Sequence, residues 1–294
     1  MIIFRLSGGF GNQLWSFAAG YSLAKELGAE FGLDTSTQDA KWFFRDTEIE
    51  NYNIEGYKKI SYRLGKGKVD RLLLNHICRR KGIGLFTPSV NEKDKDKFDP
   101  SIFEGISKDK NVYVIGDWQH KGYFKKYESD IRRMYVYKRE LSDPGKELLE
   151  SIRSTESVGV HIRRGDYVRI GIALDPEFYI KAFEYISQKL NDPVIFCFSE
   201  DEEWCRKAFE GLPYDIRYTG YEADHKNLED FELLRACKHQ IISRSTFSWW
   251  AAFLNDNENK ITVVPDNDIW IRSDKETWPD EWKYIYAPLE EREK

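Results

Sequence analysis

The chain has 294 residues, more than one typical domain needs, so two α/β halves are expected, each able to bury its own core. A formal charge of −5 argues against a general nucleic-acid binder, and no apolar run reaches the length of a membrane span. The first residues enter a strand pattern without a basic-then-apolar leader, so a cytoplasmic protein is expected.

Residues 1–6 read as a strand, 13–27 as a helix with apolar residues at helical spacing, and 31–33 as a second strand, which together make one βαβ unit. From about 39 to 109 the chain is charge-rich and less periodic, and connecting helices with an insertion are expected there. Inside it, residues 57–84 carry nine Lys and Arg against the single Asp70, interleaved with apolar residues such as Leu72, Leu73 and Ile77. This basic stretch reads either as a partly helical face for peripheral contact with anionic membrane or as a solvated face.

Residues 111–116 resume as a strand and 123–137 as a helix. The segment 139–155 holds Asp143-Pro144-Gly145 and a helix from Lys146, and is the best boundary, giving domains 1–145 and 146–294. Beyond it strands are expected at 157–162, 194–199, 216–218, 240–243 and 261–265, alternating with helices at 177–190, 202–209, 227–237 and 247–255. Such alternation means a parallel sheet. Cys78, Cys197, Cys205 and Cys237 lack the short paired spacing of a zinc site, and reduced, mostly buried thiols are expected.

The run His161-Ile162-Arg163-Arg164-Gly165-Asp166-Tyr167 places two arginines at the carboxyl end of a buried strand, where open α/β sheets bind ligands. Guanidinium forks suit phosphate or carboxylate, so an anionic ligand is indicated, with an Arg164–Asp166 ion pair as the structural alternative. A second run, Ser243-Arg244-Ser245-Thr246, lies between a short strand and the apolar helix that follows. Hydroxyls there cap the helix, and the same end suits a phosphate, although an ordinary capped core helix has the same pattern. Together the two runs would wall one diphosphate site.

Four segments in order, Gly8-Gly9-Phe10-Gly11-Asn12-Gln13-Leu14, residues 116–124, residues 161–167, and Cys237-Lys238-His239 continuing through residues 245–250, resemble the bacterial α-1,2-fucosyltransferases of glycosyltransferase family 11. Two positions depart from that pattern: Ser243-Arg244-Ser245 stands where Asn-Ser-Ser is familiar, and Trp250-Ala251 replaces Trp-Gly. The resemblance implies a GT-B-like α/β fold, two Rossmann-like domains facing across a cleft, with an acceptor side in 1–145 and a GDP-fucose side in 146–294. It implies inverting transfer of fucose from GDP-β-L-fucose to the 2-hydroxyl of a terminal galactoside, possessed by an oligosaccharide or a lipid-linked glycan, with no cofactor and no divalent metal.

On the same basis Arg163 neutralises the leaving diphosphate, and Arg164 adds to the anion site. His161 is assigned to the ribose or nucleotide, Ser245, Thr246, Phe247 and Ser248 to the diphosphate, Asp230 to the guanine edge and Asp201 to ribose or base. Asn12 orients a substrate, Gly9 and Gly11 beside it belong to the same substrate-binding loop and allow close backbone approach, and Gln13 is assigned to substrate binding. Asp166 is a candidate base, weighed against a role in orienting an arginine.

Other readings compete. Residues 9–14 partly match a dinucleotide fingerprint, with Asp34 about twenty residues on, which suggests a nicotinamide or flavin oxidoreductase, but Leu14 replaces the third glycine. Asp266-Asn267-Asp268 and Asp94-Lys95-Asp96 are candidate metal-chelating pairs. A non-catalytic sugar-binding module would also use an aromatic-rich chain.

Overall fold

The computed structural model describes residues 1–36, 38, 46–61, 89–94, 97–267 and 277–290. These fall into two compact units, Met1–Lys138 and Arg139–Lys294.

In the first unit, strands β1 (Ile2–Arg5), β2 (Phe31–Asp34), β3 (Tyr57–Ile60), β4 (Ser89–Asn91) and β5 (Val112–Ile115) form a parallel sheet in the order β3-β2-β1-β5-β4. Helix α1 (Phe10–Leu27) makes the crossover from β1 to β2 and is buried from Phe10 to Ala24 over most positions, as a helix pressed into a core must be. A Cβ at Gly20 would stand 2.5 Å from the Phe31 ring, so the glycine lets α1 lie directly on the sheet. The helix ends at Gly28, whose left-handed φ of 61° returns its N–H to Ala24 and Lys25 carbonyls. A short helix α2 (Glu128–Met134) closes the unit.

In the second unit, β6 (Glu156–Ile162), β7 (Pro193–Ser199), β8 (Asp215–Tyr218), β9 (His239–Ile241), β10 (Thr262–Asp266) and β11 (Lys283–Tyr286) run parallel in the order β11-β10-β9-β6-β7-β8. This is the Rossmann order, in which the winding reverses between the first and fourth strands, here β6 and β9. Helices α3 (Asp143–Arg153), α4 (Gly165–Ile170), α5 (Pro176–Ser187), α6 (Glu202–Ala208), α7 (Lys226–Ala236) and α8 (Thr246–Leu254) connect and cover it.

Both faces of this sheet are dry. Phe178, Ala182, Phe183 and Ile186 of α5 pack on Val158, Val160 and Ile162 of β6 and on Ile195 and Cys197 of β7. On the other face α7 approaches β6 so closely that a Cβ at Gly159 would stand 2.7 Å from Leu234 Cδ1 and 3.0 Å from Cys237 Sγ. Cys197, Cys205 and Cys237 are free and buried, while Cys78 lies outside the described residues.

Several expectations are revised. The helix expected from Lys146 starts at Asp143, with the Ser142 hydroxyl accepting from Gly145 N. Buried Glu229 of α7 accepts from Ser142 N at 2.9 Å, Ser142 Oγ at 2.7 Å and Tyr221 Oη at 2.9 Å, so the chain before α3 is tied to the second unit. Residues 123–137 are not one helix: tight 3₁₀ turns at Lys121–Tyr123 and Lys125–Tyr127 precede α2. The basic stretch opens as edge strand β3, whose Lys58 and Lys59 pair with Glu30 and Glu50. Its remainder from 62 to 84 lies outside the described residues, as do Lys95, Asp96 and Asp268 of the two candidate metal pairs. Among the described residues no helix is long and apolar enough to cross a membrane.

Because the Leu234 and Cys237 side chains leave no room above Gly159, Gly159→Val is expected to lower stability by about 1–3 kcal/mol through overpacking, read as a fall in urea midpoint at unchanged m-value.

Candidate functional site

The strands flanking the reversal, β6 and β9, pair with Val158 opposite His239 and Val160 opposite Ile241, and their crossovers leave to opposite sides. The segments that follow them, residues 161–167 and 242–248, therefore emerge together at the carboxyl edge of the sheet, where such folds leave a crevice. Side chains stitch them to each other. His161 Nδ1 lies 2.8 Å from Ser243 Oγ, and its ring is 5.1 Å from that of Phe247 in the first turn of α8. Tyr167 donates its hydroxyl to the Arg244 carbonyl at 2.6 Å.

Charge at this edge is concentrated and sorted. Arg163, still 23% exposed, places Nη2 2.6 Å from Asp166 Oδ1 and Nη1 3.2 Å from Glu200 Oε1. Arg164 turns inward: Nε meets Asp201 Oδ2 at 2.9 Å, Nη1 meets Glu290 Oε1 at 2.8 Å, and the guanidinium stacks on Trp204 with Cζ 3.8 Å from the ring centre. The ion pair of Asp166 is thus with Arg163 and not with Arg164, because α4 begins at Gly165 and brings Asp166 back under the first arginine. Asp166 stands in the orienting position. Arg244 is almost wholly buried, and burial lowers its pKa against the opposing pull of Tyr167. Burial, reinforced by the charge of Arg163, pushes His161 down to about 3, so it is a neutral imidazole at working pH.

The second segment caps α8. Ser245 is its N-cap, accepting from Phe247 N at 3.3 Å and keeping its own hydroxyl proton to donate. Thr246 and Phe247 are partly exposed in the first turn. Ser248 is not presented to a ligand: it is fully buried, its hydroxyl lying 3.4 and 3.3 Å from the Ser243 and Ser245 carbonyls, and it shapes the loop from inside. Asp201 is likewise engaged, with Oδ1 capping α6 at Trp204 N and Oδ2 on Arg164, so the geometry gives it a scaffolding role. Asp230 of α7 pairs with Lys226, and its neighbour Phe231 packs edge-on to Phe247 at 5.2 Å. Burial raises Asp230 to about 6, against the lowering effect of Lys226.

In the first unit the glycine loop follows β1. Gly9 precedes α1 and faces open space, whereas Gly11 is buried. Asn12 accepts from Gln119 Nε2 at 3.3 Å, which joins the loop after β1 to the loop after β5. Gln13 is not available to a substrate. It is fully buried, donates to the Gly8 and Asp46 carbonyls and accepts from Glu48 N and Ile49 N. Asp34, which a dinucleotide reading requires to face a ribose, is 2% exposed and accepts from Ser36 and from Tyr113 Oη.

Sequence reasoning missed Glu200, Glu290 and Trp204, the groups that hold the two arginines. They arrive from 36 to 126 residues away, and only the β6–β7 register, with Ile162 opposite Ser199, could have pointed to Glu200.

The profile of glycosyl transferase family 11 matches residues 91–286. An alpha-1,2-colitosyltransferase of Escherichia coli is 30% identical over 90% of this chain and 91% of its own length. The chain belongs to glycosyl transferase family 11. The O-antigen biosynthesis glycosyltransferase WbnK of Escherichia coli is 27% identical over 88% of this family 11 chain and 92% of its own. A galactoside alpha-(1,2)-fucosyltransferase 1 of Rattus norvegicus is 28% identical over 57% of this chain and 49% of its own. Fucosyltransferase NodZ from Bradyrhizobium has a similar structure, with a TM-score of 0.53 at 17% identity, covering 86% of this chain and 93% of that one. The fold class is that of the GT-B-type glycosyltransferases, and membership of family 11 removes the oxidoreductase reading.

Neutral His161 gives this site a signature in stability. Its folded pKa is depressed below the unfolded value of about 6.5, so the stability it contributes is present above that pH and is lost as pH falls towards 3. Between pH 7 and 5 the wild type is expected to lose about 2 kcal/mol more than His161→Asn, measured by denaturant unfolding of both proteins at each pH.

Proposed function

We propose that this family 11 glycosyltransferase transfers L-fucose from GDP-β-L-fucose to the 2-hydroxyl of a terminal galactoside, with inversion to an α linkage. The second unit takes the donor and the first unit the acceptor. The observation that carries the donor site is the meeting, at the β6/β9 reversal, of the exposed arginine edge with the capped amino end of α8. Those are two independent positive features facing one crevice, and a nucleoside diphosphate is the anion that needs both.

As the acceptor oxygen bonds to the anomeric carbon, the glycosyl–phosphate bond breaks, its electron pair stays on the diphosphate, and the acceptor's hydroxyl proton passes to water on the acceptor side. Arg163 meets that growing charge with fixed N–H donors, and the Ser245 hydroxyl and the first-turn amides of α8 supply further donors. Arg164, buried against Trp204 and paired with two carboxylates, holds the backbone from which Arg163 projects. On this proposal the leaving charge is met by directed guanidinium, hydroxyl and amide donors, so no divalent ion is called for and no resident cofactor enters the reaction. Asp230 reads the guanine edge, accepting N1–H and N2–H once Lys226 swings aside.

A colitosyl donor is a second reading, favoured by the 30% identity to an alpha-1,2-colitosyltransferase over nearly the whole of both chains. It uses the same nucleotide site. The deciding assay offers GDP-fucose and GDP-colitose with a panel of terminal galactosides in excess EDTA and determines the product linkage. Absence of transfer from either donor rejects the proposal, and transfer restored only by added Mg²⁺ or Mn²⁺ rejects its metal-free form.

In the same assay Arg163→Ala is expected to lose at least about a hundredfold in turnover, because a preorganised donor to transition-state charge is worth a few kcal/mol. Arg163→Lys should recover little, since an ammonium lacks the bidentate fork. Near-normal kcat in a folded Arg163→Ala protein overturns the assignment.

The guanine contact carries its own pH dependence. Asp230 accepts two N–H groups only when ionised, and its pKa in the empty site is about 6. Affinity for GDP-fucose, a diphosphate diester without a secondary phosphate ionisation, should therefore weaken as pH falls below about 6. Asp230→Asn should bind more weakly and lose that dependence, as followed by calorimetry from pH 7.5 to 5.

A further inference from the structure

Strands β6 and β7 pair in parallel with Ile162 opposite Ser199, so the next residues of each, Arg163 and Glu200, leave the sheet side by side. Glu200 Oε1 accepts from the Arg164 backbone N–H at 3.1 Å and lies 3.2 Å from Arg163 Nη1. One oxygen thereby holds both the backbone and the side chain of the arginine pair. Asp166 takes the other end of the same guanidinium, at 2.6 Å from Nη2. With each terminal nitrogen on a different carboxylate, the guanidinium can neither be re-aimed by its side-chain torsions nor exchange its two Nη atoms about Cζ–Nε without breaking a charged contact.

Gly165 makes room for this arrangement. A Cβ at that position would stand 2.8 Å from Glu200 Oε1 and would displace the carboxylate. Gly165 does not have a left-handed φ, so the reason for a glycine here is the seat of Glu200 and not backbone strain.

We propose that Glu200 is a positioning residue, whose carboxylate, seated on the open face of Gly165, fixes the guanidinium plane of Arg163 towards the departing diphosphate. This deepens the transferase reading and rests on Arg163 as the diphosphate ligand. The alternative, that Glu200 merely neutralises a surface arginine, makes the opposite forecast for binding. A carboxylate beside Arg163 opposes an incoming diphosphate, so if charge were its whole role its removal would tighten GDP. If aim is its role, the charge that binds GDP survives its removal while the geometry that serves the transition state is lost.

The test compares wild type, Glu200→Ala, Glu200→Gln, Gly165→Ala and the Gly165→Ala/Glu200→Ala double variant. Three quantities are measured: kcat and KM for GDP-fucose, Kd for GDP by calorimetry, and rotation about the Arg163 Cζ–Nε bond by nitrogen-detected NMR of the GDP complex. Glu200→Ala should lower kcat by about tenfold or more with Kd for GDP changed by less than about threefold, and its guanidinium should rotate faster. Glu200→Gln, whose amide oxygen can still accept the Arg164 N–H and sit beside Arg163 Nη1, should recover most of kcat. Gly165→Ala should reproduce part of the loss and add nothing in the double variant, since both changes act through one carboxylate.

Unchanged Arg163 rotation in Glu200→Ala overturns the proposal, as does a kcat loss matched by an equal loss of GDP affinity, or additive losses in the double variant. If the wild type binds GDP yet transfers no fucose, the transferase reading fails by itself, and the rotation measurement still decides the role of Glu200.

Discussion

The second unit is organised by one topological fact: its parallel sheet reverses its winding between β6 and β9. Crossover helices join β6 to β7, β7 to β8 and β9 to β10, but no crossover joins the neighbours β6 and β9 directly, and in such folds the diverging chains leave a crevice at the carboxyl ends of that pair. The polar side chains of both following segments are thereby delivered to one place. His161–Ser243 and Tyr167–Arg244 contacts then lock the two segments at a fixed separation, from positions 82 and 77 residues apart in the chain. A site for a diphosphate needs that separation to be constant, because donors aimed at developing charge contribute only when they do not have to reorganise.

The adjacent arginines, alike in sequence, have opposite environments. Arg164 has a side chain only 9% exposed, two carboxylates and an aromatic face, which together satisfy a buried cation. Removing any one partner would leave desolvated charge, so its interactions are structural ones. Arg163, on the exposed side of the same turn, is held by two carboxylates that are each more than a third exposed. Burial therefore distinguishes them: one guanidinium anchors the turn and the other stands at its exposed edge.

How much of this was legible in the sequence depended on whether the signal was local. The buried strands β6 and β7 and helix α5 between them announce themselves through apolar runs and period, and the chemistry-bearing runs at 161–167 and 243–248 follow from their position after strands. Of the edge strands, β8 was expected and three were missed: β3 is Tyr-Lys-Lys-Ile with exposed lysines, β4 has three residues, and β11 carries Lys and Tyr on a half-exposed edge. Helix α4, six residues long, is too short to show a helical period. The carboxylates that sort the arginines come from distant segments, and Ser248 and Gln13, polar and next to glycine or serine motifs, look like ligand contacts until burial shows them supporting their loops.

The two units solve the same loop problem with different chemistry. At the β1/β5 junction of the first unit, the loop after β1 is held from within by Gln13 and Gln38, both donating to the Gly8 carbonyl, and the Asn12 and Gln119 amides meet at its surface. The turn after β5 contains Trp118 at a left-handed φ of 56°, a conformation costly for a bulky residue, and it persists because Glu92 accepts from both Asp117 N and Trp118 N. Neutral amides and a clamped turn fit hydroxyl groups, whereas the guanidinium and helix terminus of the second unit fit phosphate. On the proposed reading, a transferase that joins a polyol to an anionic donor uses both kinds of surface, each built on its own parallel sheet.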